Sequence, residues 1–225
     1  MAIKIAGTSG YVAEVDGTTY RTLRVTVRPV NYGALGSYRV SMSSGTIPNG
    51  QGVVDCFQAR WVTTAYALIW GLTMNGFTPM NGGVFGLGVM TGLVYVSRSW
   101  TVDGSGGTSA DLTNNNNKLR SSMASSQMGA VRIVSPGSNL SQGTKTNDAQ
   151  PFGSWSAPGI GLDLPYYYIP LSIVALYGST SLESQGNPAP IVLAQNEGIT
   201  TQMNVTAGSD FTIGFTMAWS EVAAY

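Results

Sequence analysis

The sequence contains no histidine and only one cysteine. Without histidine, Ser/His/Asp and Cys/His nucleophile systems cannot be assembled, and the simplest pH switch near neutrality is missing. The commonest metal ligand is missing too. With Cys56 alone, no intrachain disulfide can form. Its setting, Asp55-Cys56-Phe57-Gln58-Ala59-Arg60-Trp61, is that of a small buried hydrophobe in a strand. Charge is equally scarce. Asp, Glu, Lys and Arg make up 10% of the 225 residues, against roughly a quarter in typical soluble domains. Eleven basic residues cancel eleven acidic ones, which leaves no electrostatic footprint for nucleic acid or an anionic membrane. A net charge of zero also gives little protection against self-association.

Long apolar runs are missing as well. The most apolar region, residues 65–97, is broken by Asn75, Pro79, Asn81 and a series of glycines. The piece beyond Asn81, Gly82 to Val96, falls short of the ~20 residues a helix needs to span a bilayer. It reads as core strands, and no membrane partner is expected. Met1-Ala2-Ile3-Lys4-Ile5 carries no apolar run before a small-residue cleavage site, so no signal peptide is indicated.

What the chain does have is period-two alternation with turn chemistry between the runs. Leu23, Val25 and Val27 alternate with Arg24, Thr26 and Arg28; Tyr38, Val40 and Met42 alternate with Arg39, Ser41 and Ser43. The clearest run places Phe211, Ile213, Phe215, Met217 and Trp219 on one face and Thr212, Gly214, Thr216 and Ala218 on the other. Such a strand covers a core and leaves a smooth outer face. Further strands are expected over 55–62, 65–73, 84–97, 129–134, 166–177, 189–194 and 198–205. The Asn-Gly pairs at 49–50, 75–76 and 81–82 suit turns that need positive φ. Only 117–128, with Lys118, Leu119, Arg120, Met123 and Met128, offers a short helix or, equally, an ordered loop.

Two long connections, 101–127 and 135–165, are rich in Ser, Gly, Asn and Thr, and have too little apolar surface to fold alone. Residues 1–35 read as a polar, glycine-containing N-terminal arm with one or two strands, and 36–225 as a single domain. The expected fold is all-β: a jelly-roll-like β-sandwich with an extended N-terminal arm and long polar loops.

Catalytic chemistry is hard to place on this pattern. Asp103 and Asp111 lie in a Gly/Ser/Asn-rich loop, but the ligand alternation and terminal glutamate of an EF-hand are missing. Asp163, Glu183, Glu197 and Glu221 are the carboxylates available for a glycosidase pair, and nothing in their spacing asks for one. Gly104-Ser105-Gly106-Gly107-Thr108 lacks a P-loop lysine and a following helix. The expectation is therefore no enzyme, no catalytic, cofactor-binding or metal residues, and no cofactor. Trp100, Trp155 and Tyr166-Tyr167-Tyr168 suit stacking on sugar rings, packing at a protein interface or packing in a core.

Several strings have a familiar order. Ala13-Glu14-Val15-Asp16 and Leu23-Arg24-Val25 are followed by Arg28-Pro29-Val30-Asn31-Tyr32-Gly33, Lys118-Leu119-Arg120 and Gly143-Thr144-Lys145-Thr146-Asn147-Asp148-Ala149-Gln150-Pro151. The series closes with Pro190–Ile199 and Asp210–Val222. Along most of its length the chain resembles virion structural proteins of tailed bacteriophages, of the capsid decoration or cement kind. The resemblance implies a non-enzymatic protein on the virion, made in the bacterial cytoplasm, whose partners are its own copies and the major capsid protein or another virion protein. A trimer is favoured, because decoration proteins often sit on local threefold axes. A neck or tail component and a carbohydrate-binding module are the alternatives.

Overall fold

The computed structural model describes residues 5–6, 12–13, 35–48, 50, 52–77, 89–113, 116–119, 122–158, 171–177, 190–205 and 210–223. The chain forms two compact units, Met1–Val30 and Asn31–Tyr225. In the first, β1 (Ile5–Ala6) pairs antiparallel with β2 (Val12–Ala13). The expected strand over Leu23–Val27 lies outside the described residues.

Among the described residues, the second unit contains twelve strands: β3 (Gly36–Ser43), β4 (Gly52–Trp61), β5 (Tyr66–Phe77), β6 (Val89–Val102), β7 (Thr108–Ser109), β8 (Met128–Ile133), β9 (Thr144–Asn147), β10 (Gly153–Pro158), β11 (Leu171–Tyr177), β12 (Ile191–Leu193), β13 (Glu197–Val205) and β14 (Thr212–Val222). One sheet has the order β11-β5-β14-β3, with β12 also on β5; the other has the order β10-β6-β13-β4-β8-β7, with β9 on the end of β6. All pairings are antiparallel.

Let the framework strands β3, β4, β5, β6, β10, β11, β13 and β14 be first to eighth. The sheets then read 1-8-3-6 and 2-7-4-5. The chain alternates between sheets on the way out and again on the way back, so the last strands slot between the first ones. This is the jelly-roll winding of two Greek keys into a sandwich.

The core lies between these sheets. Phe57 of β4 stacks on Phe215 of β14 with ring centroids 4.9 Å apart, joining one sheet to the other. Tyr38 stacks on Trp219, its register partner on the neighbouring strand, at 5.5 Å. The alternation of β14 holds: Ile213, Phe215, Met217 and Trp219 are buried, while Gly214 and Thr216 are half-exposed on the other face. Trp155 of β10 lies over Gly92 of β6, where any Cβ would collide with the indole.

Two expectations change, and the open choice at 117–128 falls to the ordered loop. Asn75-Gly76 is not a turn; it continues β5, paired with Gly214 and Ile213, because β14 is long enough to hold the ladder through this point. The strand expected over 84–97 runs instead to Val102, past a bend at Ser99 with a positive φ of 50°. Residues 117–128 hold no helix among those described. Lys118 bridges Tyr38, Arg39 N donates to Asn117 O and Leu119 N donates to Ser37 O, so this segment covers part of the edge of β3. Of the other Asn-Gly pairs, Gly50 has a positive φ of 72° and 81–82 lies outside the described residues.

Candidate functional site

The seven-stranded sheet carries a buried polar centre on its outer face, and a β-bulge creates it. β13 pairs Thr201 with Phe57 but Gln202 with Asp55, so Cys56 is one extra residue in β4. The side-chain period is two, so the insertion puts Phe57 and Asp55 on opposite faces. Phe57 enters the core, and Asp55 turns outward beside Gln58 and Gln202. Cys56 is fully buried at the bulge, where its thiol donates to Thr201 O, as expected of a packed small hydrophobe.

Asp55 accepts three hydrogen bonds. Gln58 Nε2 donates to Oδ2 at 2.7 Å, Gln202 Nε2 to Oδ1 at 3.0 Å and Lys145 Nζ to Oδ2 at 2.6 Å. The Asp55 and Lys145 side chains are 0% and 3% exposed. Nζ also lies 4.5 Å from the centroid of the Trp100 ring, a cation–π arrangement. Burial pulls the Lys145 pKa down, while the hydrogen bond and charge of Asp55 oppose that shift.

The lid over this centre is made by the two long polar connections. Gln58 Nε2 reaches Ser141 O at 2.8 Å, and Ser105 and Ser141 bond each other through backbone and side chain. Gly104 crosses so close that a Cβ would strike Ser141 O and Gln58 Oε1. Gln58 Oε1 is itself buried without a hydrogen-bond partner. Around the rim, Arg60 pairs with Asp103, and Arg98 pairs with both Asp148 and Glu197.

A second buried carboxylate, Glu221, fastens the other end of the first connection. Ser126 Oγ donates to it at 2.6 Å, Gln127 N at 3.0 Å and Trp219 Nε1 at 3.1 Å. Burial raises the Glu221 pKa against these hydrogen bonds. Nearby, the Tyr38 hydroxyl lies within hydrogen-bond distance of Leu35 O and Ala124 O. Its pKa is pushed up to about 12, chiefly by burial and secondarily by the charge of Glu221.

The residues singled out in the sequence are thus dispersed. Trp100 and Trp155 are 1% and 6% exposed, so neither offers a face to a sugar ring. Tyr166–Tyr168, Asp163 and Glu183 lie outside the described residues. Glu197 binds Arg98 and the backbone N–H of Ala194. Glu221 is fully buried. Asp103 faces Arg60, while Asp111 closes a local turn on Thr113 and Asn116, hydrogen bonds that hold its carboxyl below the usual range. No group of three or more metal-ligating side chains occurs among the described residues. The Gly104–Thr108 loop packs on residues 138–141.

Sequence reasoning missed the Asp55–Lys145 centre. Its one visible signal was an acid set inside an apolar strand, next to Cys56.

The open surface is of another kind. On the outer face of the β11-β5-β14-β3 sheet, Ser41 Oγ and Thr216 Oγ1 share a hydrogen bond of 2.8 Å across the strands. A shallow groove of about 310 Å3 runs there past Ser41, Ser43, Thr212, Gly214 and Thr216. Met42 and Phe215 also line it, so its wall mixes hydroxyls, glycine and apolar side chains, with no charge.

The chain matches no protein-family model and has no significantly similar curated relative.

Proposed function

We propose that this protein is a non-enzymatic structural component of a tailed-phage particle, a decoration protein that assembles with its own copies on the capsid and stabilises the shell. The observation that carries the reading is the jelly-roll winding combined with an uncharged groove of hydroxyls, glycine, Met42 and Phe215 between β3 and β14. Jelly rolls serve in viral shells and in lectins, so the fold alone does not choose between these roles. The buried state of Trp100 and Trp155 weakens the lectin alternative, because it removes two of the three positions suited to stacking on sugar. Electrostatics supports assembly: at zero net charge, copies do not repel one another. The described parts of both long polar connections are fastened to the body, which lowers the ordering entropy those parts would lose on docking.

The test is to add the purified protein to particles assembled without its gene. Saturable co-sedimentation with the shell, and a trimer in solution or on the particle, are expected. Folded protein that stays in the supernatant at micromolar concentration overturns the proposal.

A further inference from the structure

The Asp55–Lys145 pair is unusual in a chain with so few charges, because both partners are almost completely removed from water. We propose that Asp55 and Lys145 become joined covalently, by an amide between Nζ and Cγ that the folded protein forms itself.

Three features of the site support the step. Nζ is hydrogen-bonded at 2.6 Å to Oδ2, one bond from the carbon it attacks, and both groups are fixed by the fold. Holding two reactants in contact in this way replaces a bimolecular encounter with a unimolecular one. Both side chains are almost completely buried, and burial disfavours the charged ammonium of Lys145 relative to the neutral amine that must attack. Finally, each Asp55 oxygen faces a carboxamide donor, Gln58 on Oδ2 and Gln202 on Oδ1. Donors already in place stabilise negative charge as it develops on oxygen in a tetrahedral intermediate.

The atoms balance without any outside reagent. One proton passes from the ammonium to Oδ2, giving amine and carboxylic acid. The nitrogen lone pair then attacks Cγ. A second proton moves from nitrogen to the departing hydroxyl, the C–O bond breaks and water leaves. The amide keeps one N–H and one carbonyl oxygen. Trp100 lies over the nitrogen and the Ser105/Ser141 lid over the carboxyl side, so bulk water has poor access for the reverse reaction. The bond ties β4 to β9 across 90 residues of chain, which binds a long polar connection permanently to the sandwich. This inference concerns the isolated chain and does not depend on its assembly.

The experiment is the intact mass of the purified wild-type protein under denaturing conditions. It is expected to be lighter than its sequence by one water, with the peptides carrying Asp55 and Lys145 recovered after digestion as one branched species. Lys145→Arg should restore the full mass, and Asp55→Asn should lose ammonia in place of water. Wild-type protein at full sequence mass overturns the proposal. So does a water loss that persists in Lys145→Arg and is removed by hydroxylamine, which marks a succinimide at an Asp-Gly pair such as Asp103-Gly104. If a variant fails to fold, the wild-type mass still decides.

Discussion

At Cys56, one extra residue in β4 decides which side of the sheet Asp55 occupies. Without the bulge, the carboxylate would share the core face with Phe57, among apolar side chains and with no donors. With it, the same residue meets two carboxamides and an ammonium. Buried ions are costly unless paired and hydrogen-bonded, and every oxygen of Asp55 is. Tyr38, like Lys145 and Glu221, has its ionisation shifted chiefly by burial. Its folded pKa of about 12 stands above its ordinary value of 10.0, so at alkaline pH the unfolded chain ionises first. Stability contributed by the protonated hydroxyl is fully present below pH 10.0 and is lost as pH rises toward about 12. Denaturant unfolding of Tyr38→Phe across this window should therefore show a shallower alkaline decline than wild type. Parallel declines would mean that the Tyr38 proton is not held by the fold.

Elements show a similar division between what pattern reveals and what contact decides. Residues 116–128 have no periodicity to fix their structure, yet Asn117 and Leu119 bond the edge of β3, and Glu221 holds the segment's far end. An uncovered edge invites pairing with other chains, so this cover is protective. Glu221→Ala leaves Trp219 Nε1 and Gln127 N without their acceptor, at a cost of about 1–3 kcal/mol. Trypsin should then cut after Lys118 several-fold faster than in wild type, while the sandwich stays folded. Unchanged cleavage would show that Glu221 does not restrain the segment.

The long strands were legible beforehand because each buries one face and shows period two, as Tyr38–Met42 and Phe211–Trp219 do. The bounds of β6 were less so, since Ser99 bends the strand and Trp100 packs on its outer side against Gly198. β9 and β10 left no signal. Apart from Trp155 and Lys145 their residues are small, with no period-two apolar run, and they become strands because β6 is long enough to pair both. The Asp55–Lys145 contact joins residues 90 apart through a bulge, and no local pattern encodes that.

For the whole molecule, the proposed assembly raises the question of which part would contact neighbours. Among the described residues, the Asn31–Tyr225 unit holds a core that runs from Tyr38 to Val222. Met1–Val30 is separate and has only the short β1–β2 pair described within it. A segment with so little apolar surface gains most by adding a strand to another sheet, which supplies main-chain hydrogen bonds and needs no charge. Neutrality elsewhere in the chain fits that mode of attachment, since long-range attraction between unlike charges is not available to bring partners together. Removing residues 2–20 should accordingly leave the β-rich circular dichroism spectrum and unfolding midpoint of the body unchanged, while binding to particles falls at least tenfold. If the truncated protein decorates particles as tightly as the full chain, the arm has no part in attachment, and the contact must be made by the faces of the sandwich.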